Sequence, residues 1–565
     1  MVFSRAAWLC AVLSLVPLVQ GRAETPTKVI HEKRHTATRM HEKWSKKGRA
    51  EASAPLTLRI GLKQRNLERV EEFMNAVSHP GSETYAKHWT PEQVAEVFAP
   101  SDEGVAETEQ WLAGEGIAAE LISKSSGRGW IRLDTTVGEA EALLDAVYNV
   151  YESDGGLQTT ACDAYSVPAA IRHHIDLIVP TIQFDDREAA RGPGVERPNM
   201  NGLSSAKRKK LPLSGIPGVD SSESFCSDVM TSACLQALYN MPQTKDSAGE
   251  LTLDGYSTDT LNLLDVVGDV FCDSGKGATD LFWDGGYHPD QAALPGASIV
   301  RSPCSLHRTT GVILLPHRND EDAFPASYQA RQCAEYMKLG LMGVTVVSGS
   351  GDAGVAGLGG RCGSGESIHT SDEHGRFIPM FPSTCPWITS VGGTALPRGG
   401  SVGDREVVAY EFQPGGGFSD LFGQPAYQAN AVKKYYDDHD PGYGGSRYNN
   451  SRRVRGYPDL ALASQNYETV LDSEKVAASG TSASSSTFGN MVSMINGERA
   501  KAGKGPVGFI NTVLYEHPEL FADVVKGGTR GCGSLGFEAV DGWDPASGLG
   551  NPDYEKLKRV LGALP

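Results

Sequence analysis

Gly343-Val-Thr-Val-Val-Ser-Gly-Ser-Gly-Asp352 is an apolar stretch that ends in a glycine-rich turn, and a helical pattern from about Pro325 to Leu339 precedes it. A short apolar, β-branched run of this kind predicts a strand that is buried on both faces. Trp387-Ile-Thr-Ser-Val-Gly-Gly393 predicts a second such strand. Because strands and helices alternate here, we predict an α/β domain with a parallel sheet and with its site at the carboxyl ends of the strands.

The composition excludes several classes of protein. The 565 residues include 69 acidic and 52 basic side chains, so the formal net charge is −17. An anionic chain repels phosphate groups, so neither nucleic acid nor an anionic membrane is expected as a binding partner. The dense basic run Lys207–Lys210 lies in a Gly/Pro/Ser-rich segment that predicts an exposed linker. This run is either a cleavage site for a processing protease or simply a solvated loop.

The N-terminus predicts export. Arg5 precedes an apolar run from Ala6 to Val19, which is too short to span a bilayer and is typical of a signal peptide cleaved after Gly21. We therefore expect a secreted, extracellular protein, and no later stretch is apolar enough for a membrane span. Nine cysteines follow the signal, an odd number, so disulfides with at least one thiol left over are expected.

Residues from about 52 to 182 show an α+β pattern that precedes the linker. Leu56–Leu62 alternates like a strand, Ala118–Ser123 also predicts a strand, and Thr90-Pro91 predicts a capped helix start. The resulting division is a signal peptide (1–21), an α+β domain (22–184), a linker (185–225) and a C-terminal α/β domain (226–565).

A candidate nucleophile lies in Ser479-Gly480-Thr481-Ser482-Ala483-Ser484. Apolar residues follow at the spacing of one helix face, namely Phe488, Met491, Val492 and Ile495. Ser482 is therefore predicted at a helix N-terminus, where free N–H groups and the positive end of the dipole favour a developing oxyanion. A serine-rich helix cap explains the hexapeptide equally well.

A serine nucleophile needs a base. No histidine has the His-Gly-Thr-His surroundings that a subtilisin-type triad would require, which favours a carboxylate base. A carboxylate stays ionised in acid, where imidazole is protonated, so such an enzyme would work at low pH. A subtilisin-type triad with a histidine base is a further alternative. A rate of peptide hydrolysis that rises steadily from acid to about pH 8 would support it.

Several ordered motifs resemble the sedolisins, the serine-carboxyl peptidases that include tripeptidyl-peptidases. The motifs are Ser479–Ser484, Ser348–Gly354, Phe381–Thr394, Gly415–Asp420 and Gly542–Gly550, with Cys234–Pro242 at the start of the mature enzyme and Tyr85–Ala95 in the propeptide. The resemblance implies a subtilisin-like catalytic domain with a Ser-Glu-Asp triad. It implies Ser482 as the nucleophile and Asp352 as the oxyanion-hole aspartate, whose protonated carboxyl would donate a hydrogen bond. Without the resemblance, Asp352 is interpreted as a turn residue between glycines.

The resemblance also implies one calcium ion near the C-terminus. Asp523 and Asp544 would supply carboxylates, and Val524, Val540 and Gly542 would supply backbone carbonyls. Such hard oxygen donors suit Ca²⁺. It further implies that residues 22–184 are a propeptide or activation domain that acts in cis, and that the linker 185–225 contains the maturation site. Residues 226–565 would be the peptidase domain, with polypeptides as substrates, and we expect a monomer.

The Glu-x-x-x-Asp pair of the family is not found where it should lie. Four-residue spacing would place both carboxylates on one helix face, between Asp284-Gly285-Gly286 and Asp320-Glu321-Asp322. The stretch Ile299–Thr310 contains no acid, and the interval is short by on the order of 40 residues. Glu250/Asp254 and Asp280/Asp284 have the right spacing, but the first pair comes too early and the second lacks the glutamate.

The sequence therefore supports two functional hypotheses. The first is a secreted, acid-active serine-carboxyl peptidase, made as a zymogen, that acts through an acyl-enzyme on Ser482 and releases tripeptides or cleaves internally. The alternative is an inactive relative, or a truncated gene model without the acid pair, that acts as a non-catalytic binding protein.

Overall fold

The computed structural model describes residues 27–34, 44–125, 127–153, 156, 158–183, 209–210, 226–242, 311–315, 318–363, 375–471 and 474–565. The signal-peptide prediction, the acid pairs Glu250/Asp254 and Asp280/Asp284, and most of the linker lie outside these ranges. Within the described ranges, none of the helices combines the length and the apolar character that a bilayer crossing requires.

The N-terminal part, up to residue 183, is an α+β domain. Its strands are β1 (Lys28–Lys33), β2 (Trp44–Arg49), β3 (Pro55–Leu62), β4 (Ile122–Lys124), β5 (Trp130–Thr136), β6 (Tyr148–Ser153), β7 (Gln158–Cys162), β8 (Ala164–Pro168) and β9 (Ile175–Val179). Its helices are α1 (Val70–Ser78), α2 (Pro91–Phe98), α3 (Asp102–Gly114) and α4 (Val137–Leu144). The strands form an antiparallel sheet in the order β4-β5-β3-β9, a second sheet β2-β6-β7 and the pair β1-β8.

Local sequence signals explain where several helices and strands of this domain begin. Thr90 caps α2 through a reciprocal capping box with Gln93, as the Thr-Pro pattern predicted. On β3, Leu58, Ile60 and Leu62 alternate into the core and are at most 1% exposed. The strand predicted over Ala118–Ser123 is partly wrong: Ala119–Leu121 forms a 3₁₀ turn, closed by Leu121 N–H to the Ala118 carbonyl, and β4 starts only at Ile122.

The C-terminal part contains the remaining elements. Its strands are β10 (Lys209–Lys210), β11 (Val312–Leu315), β12 (Asn319–Asp320), β13 (Thr345–Gly349), β14 (Met380–Phe381), β15 (Thr389–Ala395), β16 (Val407–Val408), β17 (Gly417–Gly423), β18 (Val454–Tyr457), β19 (Leu460–Ala463), β20 (Tyr467–Leu471), β21 (Glu474–Ala478), β22 (Phe521–Ala522) and β23 (Asn551–Pro552). Its helices are α5 (Ser232–Tyr239), α6 (Ala326–Leu341), α7 (Ala429–Asp438), α8 (Thr481–Lys501), α9 (Asn511–Glu516) and α10 (Tyr554–Ala563).

A parallel sheet forms the centre of this part. β11, β13, β15 and β19 run parallel in that order, and β16 adds antiparallel to the end of β15. All four parallel strands are buried along their whole length, as expected for a sheet that is covered on both faces. The predicted α/β fold with a parallel sheet, preceded by an α+β domain, is confirmed.

Helix α8 packs directly across the sheet. It contacts β11, β13, β15 and β19. Its predicted apolar face is confirmed, because Phe488, Met491, Val492 and Ile495 are at most 1% exposed. The approach is so close that a Cβ on Gly489 would lie 2.4 Å from Leu314 Cδ2. Helix α8 therefore lies in direct contact with β11.

Three disulfides link described residues of the C-terminal part. They join Cys226 to Cys234, Cys333 to Cys385, and Cys362 to Cys532. Cys162 in the N-terminal domain is a buried free thiol, in agreement with the odd cysteine count. Cys272 and Cys304 lie outside the described residues.

Arg331, a buried arginine of α6, is one of the side chains that join this helix to the N-terminal domain. Arg331 donates to the carbonyls of Leu62 (2.9 Å) and Gly129 (3.2 Å), and its guanidinium lies 4.4 Å from the ring centre of Trp130. It also pairs with Asp176 at 3.2 Å. Four contacts from one side chain therefore join α6 to the N-terminal domain.

Candidate active site

Ser482 lies in the first turn of α8, as the sequence predicted. Gly480 precedes the helix with φ of 156°, a conformation that favours glycine, and its N–H donates to the Ser464 carbonyl at 2.7 Å. A Cβ at Gly480 would lie 3.2 Å from Asp352 Oδ2. The turn therefore brings the backbone before Ser482 close to the loop that follows β13.

Asp352 lies beside this helix N-terminus, and Thr481 holds it there. Asp352 Oδ1 accepts hydrogen bonds from the Thr481 N–H at 2.7 Å and from Thr481 Oγ1 at 3.0 Å. Thr481 Oγ1 also lies 3.1 Å from both the N–H and the carbonyl oxygen of Gly351. The helix-start pattern predicted the place of Ser482, and the resemblance alone suggested Asp352; the structure places both at the same helix N-terminus.

Sequence reasoning missed a third member of the cluster. Arg318 Nη1 donates to Ser482 Oγ at 3.4 Å, while Nη2 donates to Asp352 Oδ2 in an ion pair. Arg318 directly precedes Asn319-Asp320-Glu321. An arginine next to acidic residues would be expected to form an ion pair with them. Only the fold shows that its side chain turns to residues 34 and 164 positions away.

The neighbouring acids hold loops together. Asp320 accepts from the Leu358 N–H at 2.7 Å and from Arg361 at 2.8 Å. Glu321 accepts from Ser419 Oγ at 2.5 Å and from the Asp420 N–H at 2.7 Å, and burial raises its pKa to about 7. The acids that marked this stretch in the sequence thus bind surrounding backbone and side chains.

Glu406 is a second buried carboxyl. Glu406 accepts from Tyr239 Oη at 3.0 Å and from Thr394 Oγ1 at 3.3 Å, and burial raises its pKa to about 7. Glu321 and Glu406 are therefore uncharged in acid, where a buried carboxyl costs least.

The predicted calcium ligands lie together near the C-terminus. Asp523 Oδ2 accepts from the Gly542 N–H at 2.9 Å, and Asp544 Oδ2 accepts from the Val540 N–H at 3.0 Å. Asp544 Oδ1 accepts from the N–H groups of Ala546 and Ser547. Burial raises the pKa of Asp544 to about 7 and also raises the pKa of Asp523.

The donor set fits a hard cation. Asp523 Oδ1 is buried and accepts no hydrogen bond from the residues that the structure describes. Together with Asp544 and the carbonyls of Val524, Val540 and Gly542, it would give an all-oxygen set of the type that Ca²⁺ prefers. No group of three or more His, Cys, Asp and Glu side chains suited to a metal occurs in the described ranges, so carbonyl oxygens would have to complete the shell.

Comparison with known proteins shows to which class of protein this chain is similar. The family model for the pro-kumamolisin activation domain matches residues 42–184. Aorsin of Aspergillus oryzae is 31% identical over 649 aligned positions, which cover 95% of this chain and 96% of aorsin. Tripeptidyl-peptidase sed1 of Aspergillus fumigatus is 33% identical over 631 positions, with 95% of this chain and 96% of that protein covered.

The fold, the serine at the helix N-terminus and these relatives define a serine-type peptidase with an activation domain. Within that class, the chain belongs to the sedolisin family. Among solved structures, Pseudomonas sedolisin complexed with two molecules of pseudo-iodotyrostatin has a TM-score of 0.36 and 22% identity, and the match covers 45% of this chain and 65% of that one.

The alignment with aorsin is longer than this chain. It spans 649 positions and covers 95% of the 565 residues, which is about 537, so about 112 aligned positions (649 − 537) have no residue of this protein. The sequence had indicated a shortage of on the order of 40 residues before Asp320. Aorsin therefore has residues at positions where this chain has none.

Proposed function

We propose that this protein is a secreted, acid-active serine-carboxyl peptidase, made as a zymogen, that cleaves peptide bonds through an acyl-enzyme on Ser482. The observation that carries the proposal is the placement of Ser482 at the N-terminus of α8 beside Asp352. Free N–H groups and the dipole of a helix start favour the oxyanion that forms when a serine attacks a carbonyl. Asp352 borders that place and supports the stabilisation of the oxyanion.

Substrate class and working pH follow from different observations. Tripeptidyl-peptidases are among the relatives of this chain, so we propose tripeptides released from free N-termini as the products. The buried carboxyls Glu321 and Glu406 are neutral in acid, which favours a folded protein that is stable at low pH. One calcium ion, bound by the Asp523/Asp544 set, would tie the C-terminal loops together.

The proton of the Ser482 hydroxyl has to pass to a carboxylate base. Glu250/Asp254 and Asp280/Asp284 are the candidate pairs by spacing. The acid-free stretch Ile299–Thr310 and the about 112 positions at which aorsin has residues and this chain has none favour a second candidate function. In it the acid pair is missing and the protein binds polypeptides without cleaving them.

Activity measurements decide between the two. The purified, acid-treated protein should release a fluorescent reporter from an N-terminally free tripeptide substrate at about pH 3–5. Ser482→Ala should abolish release, whereas Ser485→Ala is the matched control, because the Ser485 hydroxyl only donates to the Ser482 carbonyl. An inactive wild-type protein, or activity that survives Ser482→Ala, contradicts the proposal. Sequencing the transcript across residues 270–325 shows whether a Glu-x-x-x-Asp segment is missing.

A further inference from the structure

The guanidinium of Arg318 contacts both Ser482 and Asp352, the two residues assigned to the proposed reaction. Arg318 Nη1 donates to Ser482 Oγ at 3.4 Å, and Nη2 pairs with Asp352 Oδ2. The side chains of Arg318 and Asp352 are only 5% and 9% exposed. Arginine keeps its charge at every pH at which proteins work, so this buried pair places a permanent cation next to the nucleophile.

The reaction places negative charge within reach of this cation. When Ser482 Oγ attacks a peptide carbonyl, a C–O bond forms and the hydroxyl proton passes to a carboxylate base. The π electron pair of the carbonyl then becomes a lone pair on the substrate oxygen. When the intermediate collapses, the C–N bond breaks and the amine leaves with that proton. The charged oxygen is only two bonds from Oγ, and Arg318 Nη1 already lies against Oγ.

We propose that Arg318 is a catalytic residue that donates a charged hydrogen bond to this oxyanion, with Asp352 as the positioning residue that holds the guanidinium in place. The inference rests on the proposed function. Thr481 fixes one carboxylate oxygen of Asp352 through its N–H and Oγ1, so the other oxygen faces Arg318 in a set orientation. A preorganised cation in a site with little water stabilises charge more than the same cation does in bulk water.

The test measures the chemical step separately from substrate binding. The variants are Arg318→Gln, Arg318→Lys, Asp352→Asn and the double variant Arg318→Gln/Asp352→Asn. Active sites are counted by labelling Ser482 with a fluorophosphonate, so that misfolded protein does not enter the rate. For each variant, kcat, KM and the inhibition constant of a peptide aldehyde, whose hemiacetal oxygen occupies the oxyanion position, are determined.

Arg318→Gln should lower kcat per labelled site by about 10²–10³-fold, the usual cost of one oxyanion donor. KM should stay within about 3-fold, while the aldehyde binds more weakly by a factor similar to the loss in kcat. Arg318→Lys should recover part of the rate, since it restores the charge. Because Asp352 acts through Arg318, the double variant should be no slower than Arg318→Gln alone.

Arg361→Gln is the matched control. Arg361 is a buried arginine that also pairs with aspartates, Asp320 and Asp322, and its variant should keep the wild-type kcat per labelled site. If Arg318→Gln does not fold because Asp352 is left as a lone buried charge, the double variant carries the test, because it removes both charges.

Three results overturn the inference. They are a kcat for Arg318→Gln within about 3-fold of wild type, unchanged aldehyde binding, or losses that multiply in the double variant. In each of these the wild-type enzyme is active, so the proposed function survives. A wild-type protein that is neither labelled nor active is the distinct outcome in which the proposed function fails, and the inference fails with it.

Discussion

The backbone N–H of Thr481 donates a 2.7 Å hydrogen bond to Asp352 Oδ1. This bond joins the start of α8 to the loop after β13, two segments that lie 129 residues apart in the chain. It satisfies one of the free N–H groups of the helix N-terminus with a carboxylate, which is a favourable placement for a negative charge. The nucleophile candidate is the next residue along the helix, so this bond sets its position relative to Asp352.

The Thr481 hydroxyl is predicted to support both stability and activity. Thr481→Val keeps the shape of the side chain but removes its contacts with Asp352 and with the backbone of Gly351. We expect the free energy of unfolding to fall by about 1–3 kcal/mol, because buried polar groups lose their bonds. We also expect kcat to fall, because Asp352 loses a support. Urea denaturation and peptidase assays measure the two effects.

Thr487→Val is the matched control on the same helix. Its hydroxyl bonds to the Ala483 carbonyl and to Tyr467 Oη, away from Asp352. It should reduce stability without lowering kcat. Equal losses of kcat in the two variants would show that Thr481 has no particular role at the site.

Calcium is predicted to stabilise the folded protein through Asp523 and Asp544. A ligand present at 100 times its Kd adds about 2.7 kcal/mol of stability. Thermal unfolding of the wild-type protein should therefore move to higher temperature when Ca²⁺ is added and return when it is chelated. Asp523→Asn and Asp544→Asn should lose most of this shift.

Asp553→Asn is the control for the calcium measurement. Asp553 caps α10 through the Lys556 N–H, and asparagine caps helices equally well, so this variant should keep the full Ca²⁺ shift. A wild-type protein whose melting temperature ignores Ca²⁺, with chelator-treated protein as the reference, would contradict the assignment.

Stability should fall as the pH rises from about 4.5 to about 7, in part because of Glu406. Its folded-state pKa of about 7 lies above the ordinary 4.5, so in this window the folded protein binds a proton that the unfolded chain has released. Raising the pH through the window therefore removes stability, by about 3 kcal/mol at 1.36 kcal/mol for each pKa unit. The full contribution is present below about pH 4.5.

Glu406→Gln tests this origin, because an amide does not titrate. Urea denaturation at a series of pH values should show that the free energy of unfolding declines less steeply with pH in the variant than in the wild type. Glu321 should still cause part of the decline in both proteins. Replacement of the exposed Glu411 by Gln should leave the curve as it is. Parallel curves for Glu406→Gln and wild type would show that Glu406 does not cause the decline.

Arg331→Ala is predicted to loosen the activation domain. The variant loses the hydrogen bonds to the carbonyls of Leu62 and Gly129 and leaves the half-buried Asp176 without its cation. Breaking a buried pair on one side typically costs about 3–5 kcal/mol. After one cut in the 185–225 linker, the activation domain should co-elute with the peptidase domain in the wild-type protein and separate from it in the variant.

Arg69→Ala serves as the reference for this separation. Arg69 is an exposed arginine that pairs with Glu72 of its own domain, so the two parts of that variant should stay together. Co-elution of the Arg331→Ala fragments would mean that other contacts between the domains suffice.

The sequence by itself determined the features that depend on neighbouring residues. Alternation and apolar runs predicted β3, β13 and β15, and the capping pattern at Thr90 predicted the start of α2. The spacing of Phe488, Met491, Val492 and Ile495 predicted α8 and thus the helix-terminal position of Ser482. These signals are readable because backbone periodicity and capping act over one or two turns of chain.

Only the tertiary structure decided which distant side chains meet. Arg318 reaches Ser482 across 164 residues, and Cys362 pairs with Cys532 across 170. Such contacts depend on the order and register of the parallel strands and on how closely α8 lies on them, neither of which leaves a pattern in the local sequence. The local sequence therefore predicted the helix-terminal place of Ser482, and the resemblance added Asp352, while the packed sheet and helix brought Arg318 into contact with both.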